Sequence, residues 1–175
     1  TEKIELDLDL SSLIRPSKGI RIRSLEFINS AAEIMVTEDG KANYDIAKSE
    51  SEETSLFLGE IEHYAIENAN INYNDKSSDT RVSVNKLYHS GSGQFRNTEF
   101  DLQTETSIDD LQLIQAGLPY AKDMQLDSRM TIRVDLNKNR YELAENEITI
   151  IELLVKSTGF VEMQDEDIVI ELDVK

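Results

Sequence analysis

The chain has 175 residues, enough for one domain with its own core, and carries a net charge of −17 from 35 acidic and 18 basic residues. That balance argues against nucleic-acid phosphates and anionic lipid surfaces as partners, and a solvated acidic face accounts for it. The absence of cysteine excludes disulfides, thiolate nucleophiles and thiolate zinc sites, and no apolar run reaches the roughly 18 residues of a membrane helix.

The chain begins mid-pattern, in TEKIELDLDL, as an internal piece of a longer protein would, and no signal peptide is visible. In IELDLDL, Ile4, Leu6, Leu8 and Leu10 face one way and Glu5, Asp7 and Asp9 the other, the period-two mark of a strand with one apolar face. SSLIRPS (11–17) predicts at most one helical turn, stopped at Pro16. In DGKANYDI (39–46), Asp39-Gly40 predicts a chain reversal, Asn43 or Asp45 a tie to nearby backbone, and Tyr44 packing on the sheet. AKSESEET (47–54) is charged and aperiodic; it reads as a flexible acidic loop and the one internal boundary of a single domain spanning 1–175.

NDKSSD (74–79) predicts a hairpin turn, ended by Asp75 and its neighbours, between INYN and TRVSVNKLYHS. HSGSG (89–93) reads as another turn. SIDDLQLIQAGL (107–118) is ambiguous: Ser107 and Asp110 could cap a short helix, whereas the alternation of Leu111 and Leu113 favours a strand. MQLDSRMTIRVDL is the clearest strand. Met124, Leu126, Met130, Ile132, Val134 and Leu136 lie on one face, only Ser128 breaks the apolar row, and at about 3.3 Å per residue it runs ~43 Å. NKNR (137–140) predicts the next hairpin and STG (157–159) a further turn, with Ile148 and Ile150 extending the apolar pattern between them. IVIELDV closes the chain with Ile168, Ile170, Leu172 and Val174 on one face.

This grammar predicts an all-β fold, a long twisted antiparallel meander curled into a trough or open sandwich, with at most one or two short helical turns. Its apolar face must be covered by a second sheet, closed by curling, or left as a groove for an apolar ligand; periodicity does not choose among these.

No motif carries catalysis. GSG (91–93) lacks the following helix and GK[ST] of a phosphate loop. The oxygens of 74–79 miss the spacing of a calcium loop. His63 and His89 have no His or Cys partner nearby in sequence for a transition metal. No carboxylate pair stands out as acid and base, and no serine sits in a nucleophile elbow. We expect no enzymatic activity, no cofactor and no metal.

Four segments in order, DGKANYDI (39–46), SESEE (49–53), IENANINYND (66–75) and VNKLYHSGSGQFRNTEFDLQTETS (84–107), resemble the AsmA family of bacterial envelope proteins. Tyr44 stands where many relatives have Trp, and family members are several times longer and begin with a membrane-spanning helix. The resemblance implies that Asp39, Gly40, Asn43, Tyr44 and Asp75 form a structural signature. It also implies a periplasmic piece of a parent anchored in the inner membrane. AsmA-like proteins are similar in kind to chorein-type lipid-transfer proteins, whose long sheets form apolar troughs. By that likeness the stripes at 124–136 and 168–174, with Ile148 and Ile150, would line a groove for phospholipid acyl chains and support outer-membrane assembly. Met124, Met130 and Met163 would suit variable chains. Envelope proteins would be the other partners. The alternative is a structural or docking β-sandwich without lipid.

Overall fold

Alternating apolar residues force this chain into strands, because only a period-two backbone places them all on one side. A computed structural model describes residues 1–10, 21–44, 60–95, 97–164 and 167–175. The expectations for 11–17, Asp45 and 47–54 lie outside these. Among the described residues ten strands form one sheet: β1 Lys3–Leu8, β2 Arg21–Ile28, β3 Ala31–Val36, β4 Glu60–Asp75, β5 Thr80–Ser92, β6 Glu99–Gln115, β7 Leu118–Asp135, β8 Arg140–Ile150, β9 Leu153–Gln164 and β10 Asp167–Val174. The fold is all-β. From β4 to β10 the sheet is an unbroken antiparallel meander in chain order.

The N-terminal part departs from a pure meander, so the sheet is mixed. β2 pairs parallel with the first half of β4, from Arg21↔Glu60 to Ile28↔Glu67. β3 pairs parallel with the second half, from Ala31↔Asn70 to Val36↔Asp75. Two short strands thus tile one edge of a 16-residue strand, joined at Asn29, whose positive φ of 51° makes the step. β1 then pairs antiparallel with β2.

Hairpins fall at 76–79 and 136–139, as the Asn, Asp and Ser clusters predict. The ambiguous 107–118 segment is strand, continuing β6 to Gln115, and reverses at Ala116 and Gly117 (φ 50° and 74°). Two expected turns are strand instead. HSGSG lies largely within β5 and STG within β9. Their glycines answer packing rather than reversal. A Cβ at Gly91 would overlap the ring of Tyr64 on β4, and one at Gly159 (φ 143°) would overlap the Glu171 carbonyl of β10.

Strands β4 to β7 all slip register at one level of the sheet. β4 bulges between Ile66 and Ala69, and β5 between Leu87 and Val84. β6 bulges between Ile108 and Leu111, and β7 between Met124 and Ala121. Asn68, Lys86 and Asp123 take left-handed φ of 50°, 50° and 51° there. Aligned bulges bend neighbouring strands together and form a crease across the sheet. Polar side chains stitch it: Lys86 Nζ reaches Asp109 at 3.2 Å, Asn85 Nδ2 donates to Asp110 at 2.9 Å, and Asn70 Oδ1 accepts from the Lys86 amide at 3.1 Å.

No second layer packs on the sheet among the described residues; strands touch only their hydrogen-bonded neighbours. No side chain there falls below 2% exposure. Among the described residues the strands form one open sheet, not two packed layers.

Candidate functional site

The registers gather the apolar positions of every strand onto one face. One cross-strand row runs Phe100, Val134, Tyr141, Val161, Ile170. The next runs Leu102, Ile132, Leu143, Gly159, Leu172. Beyond the centre come Leu87, Ile108, Leu126, Ile150, Leu153, and then Ile71, Val84, Leu111, Met124. Ile4 and Leu6 of β1 extend the face through Phe27 and Leu25 to Ile66 and Tyr64. Met124, Leu126, Met130, Ile132, Val134, Ile148, Ile150, Ile168, Ile170, Leu172 and Val174 therefore share this face. Leu136 lies one residue past β7, where its amide donates to Thr98 O at 2.8 Å.

Side chains in the middle of the face shield one another. Val134 is 3% exposed and Leu87 9%, whereas Ile168, Ile170 and Val174 at the β10 edge are 60–65% exposed. The opposite face is charged. Glu105–Arg129 and Glu147–Lys156 pair across β6 to β9, and Arg133 bridges Asp101 and Glu142. A concavity of about 700 Å³ crosses β4 to β9, lined mainly by side chains of this polar face, Arg129 and Lys156 among them. Its cations are already paired.

Two rows at the centre of the apolar face are polar. Tyr64 stands level with Gly91, Thr104, Met130 and Asn146; Ile66 stands level with His89, Thr106, Ser128 and Ile148. Tyr64 Oη lies 3.1 Å from His89 Nε2, and His89 Nδ1 lies 2.9 Å from Thr106 Oγ1. Burial lowers the His89 pKa and raises that of Tyr64, so both stay neutral near pH 7. Phe95 packs on Tyr64 (centroids 6.3 Å) and on Phe100 (5.2 Å), closing one end of the cluster.

Asn146, 7% exposed, serves the fold. The β8–β9 ladder breaks between Leu143 and Glu147. There the Asn146 amide nitrogen donates to Ser157 O, while its Oδ1 accepts from the Ser157 amide at 2.8 Å and hydroxyl at 2.9 Å.

The signature residues are structural in geometry. Gly40 (φ 78°) makes the reversal, with its amide donating to Thr37 O at 2.9 Å. Asp39 accepts from the Thr37 hydroxyl at 2.5 Å and pairs with Lys41 at 2.7 Å. Asn43 clasps β3: its Nδ2 donates to Glu33 O at 2.8 Å, and its Oδ1 accepts from the Met35 amide at 3.1 Å. Tyr44 does not pack on the sheet as expected; it is 60% exposed. Asp75 accepts from the amides of Ser77 and Ser78, both their hydroxyls and the Tyr73 phenol, and its pKa falls to about 2 because the two hydroxyls, above all, bind the charged form. These oxygens are filled by the turn itself.

Sequence reasoning passed over Tyr64 and Thr106, and weighed His89 only as a metal ligand. The available signal was FDLQTETSI, where alternation carries two threonines onto the apolar side, together with Ser128 in the otherwise apolar row of β7. No group of three or more His, Cys, Asp or Glu among the described residues is placed to hold a metal, and no described helix is long and apolar enough to cross a membrane. No family model, curated protein or solved structure matches this chain.

Proposed function

We propose that the apolar face holds the acyl chains of phospholipids, as one non-enzymatic segment of an AsmA-like envelope protein. That parent would be anchored in the inner membrane, face the periplasm and conduct lipid between the two membranes in support of outer-membrane assembly. The supporting observation is an apolar face that runs from β1 to β10, interrupted at its centre by two polar rows, with no protein layer over it among the described residues. An acyl chain gains about 0.8 kcal/mol for each CH₂ it removes from water, and it needs a long smooth surface rather than directed polar contacts. The charged opposite face keeps such a sheet in solution.

The test is native mass spectrometry of the purified chain, with solvent extraction of bound material, before and after incubation with phosphatidylethanolamine vesicles. Near-stoichiometric phospholipid is expected. Ile170→Asp should abolish it without unfolding the chain, because that position is 60% exposed; Ile132→Asp should do the same from the centre of the face. A well-folded chain that stays free of lipid in both conditions would favour a docking module instead.

A further inference from the structure

The polar rows at the centre of the apolar face hold a hydrogen-bond donor with no partner among the described residues. Tyr64, His89 and Thr106 form a chain of two hydrogen bonds. A neutral imidazole has one N–H and one acceptor nitrogen. If Nδ1 carries the proton, it donates to Thr106 Oγ1, Tyr64 donates to Nε2, and the Thr106 O–H is left over. If Nε2 carries it, it donates to Tyr64 Oη, Thr106 donates to Nδ1, and the Tyr64 O–H is left over. Three hydrogens serve two bonds in either tautomer, so one hydroxyl hydrogen is always left unused within the trio. Ser128, 9% exposed, stands opposite Thr106 on β7, and Thr104 lies two residues along β6. No Lys or Arg occupies either polar row. The site therefore suits a neutral acceptor, not a phosphate, which would call for cations. Apolar rows flank it on both sides, Phe100 and Leu102 along β6 in one direction, Ile108 and Leu111 in the other.

We infer that Tyr64, His89 and Thr106 bind an ester carbonyl oxygen of an acyl lipid whose chains lie on the flanking apolar rows. This rests on the lipid reading above. It adds a chemical preference: lipids with ester-linked chains bind more tightly than those with ether-linked chains, which lack the carbonyl.

The experiment compares dioleoyl phosphatidylethanolamine with its diether analogue by competition in native mass spectrometry. The wild-type chain should prefer the diester by about fivefold, the worth of one net hydrogen bond. Tyr64→Phe, His89→Phe and Thr106→Val together remove every donor of the trio, and should erase the preference while leaving diether binding intact. Equal binding of the two lipids by the wild-type chain would overturn the ester site and leave the lipid reading standing. Binding of neither would overturn both. A preference that survives in the triple variant would place the donor elsewhere and defeat this assignment.

Discussion

Strands β7 and β10 are written in the same alternating pattern but end in different surroundings. In β7, Val134 is 3% exposed; in β10, Ile170, in the same cross-strand row, is 60% exposed. β7 has apolar neighbours on both flanks, from β6 and β8, whereas among the described residues β10 has them only from β9. In a sheet without a covering layer, burial is supplied sideways. A residue's depth is then decided by how many strands lie on either side of it, which its own strand does not encode.

The largest effect should come from placing a charge at each end of that row. Val134→Asp puts a carboxylate where almost no water reaches and should destabilise the chain by about 4 kcal/mol. Ile170→Asp should stay within roughly 0.5 kcal/mol, as surface changes do. Urea denaturation of the two variants checks this, and equal losses would mean that the β10 edge is covered in solution. Next comes Gly159→Ala. Its positive φ and the Glu171 carbonyl leave no room for a Cβ, and the strain of roughly 2 kcal/mol should be relieved by loosening β10 from β9. Amide exchange should quicken in β10 and remain slow in β6 and β7; uniform quickening would show that the two regions unfold as one.

The smallest effects are acid-dependent. Burial holds the folded His89 pKa below its ordinary 6.5. The unfolded chain then binds more protons, so His89's contribution is full above about pH 6.5 and is lost as pH falls through the folded value. His89→Gln should flatten that part of the stability profile. Asp75 acts lower down. Its folded pKa of about 2 against an ordinary 3.8 gives a contribution present above pH 3.8 and lost as pH falls through about 2. Asp75→Asn should remove only this acid limb. Thermal melts from pH 2 to 8 separate the two, and a wild-type profile without the upper limb would contradict the burial of His89.

Much of this fold is legible in the sequence, and the places where reading fails share one physical cause. Period-two stripes identify β1, β7 and β10, and Asp75 and the NKNR segment mark turns, because these depend on local backbone chemistry. The ambiguity at 107–118 comes from the crease. A bulge at Asp109–Asp110 shifts the apolar phase from Ile108 to Leu111, a three-residue spacing that imitates a helix. Gly91 and Gly159 were misread as turn residues because their reasons sit on other strands, at Tyr64 and at Glu171. The parallel pairing of β2 and β3 with β4 is likewise set by which edge is free, not by anything within those strands. The candidate face follows directly from alternation, with eleven of the twelve stripe positions inside strands on one side. Its polar centre is assembled across β4, β5 and β6 and is visible only once the strands are in register.

The crease carries a thermodynamic consequence. Its curvature is written into the backbone by left-handed residues at Asn68, Lys86 and Asp123 and held by side chains on the chain itself, so the bend exists before anything occupies the face. A ligand arriving there meets a preformed shape and loses only its own freedom and that of a few side chains, not the disorder of ten strands. On the proposed lipid reading, occupancy would then come and go without the sheet refolding, the condition for a surface over which molecules pass rather than one in which they stay.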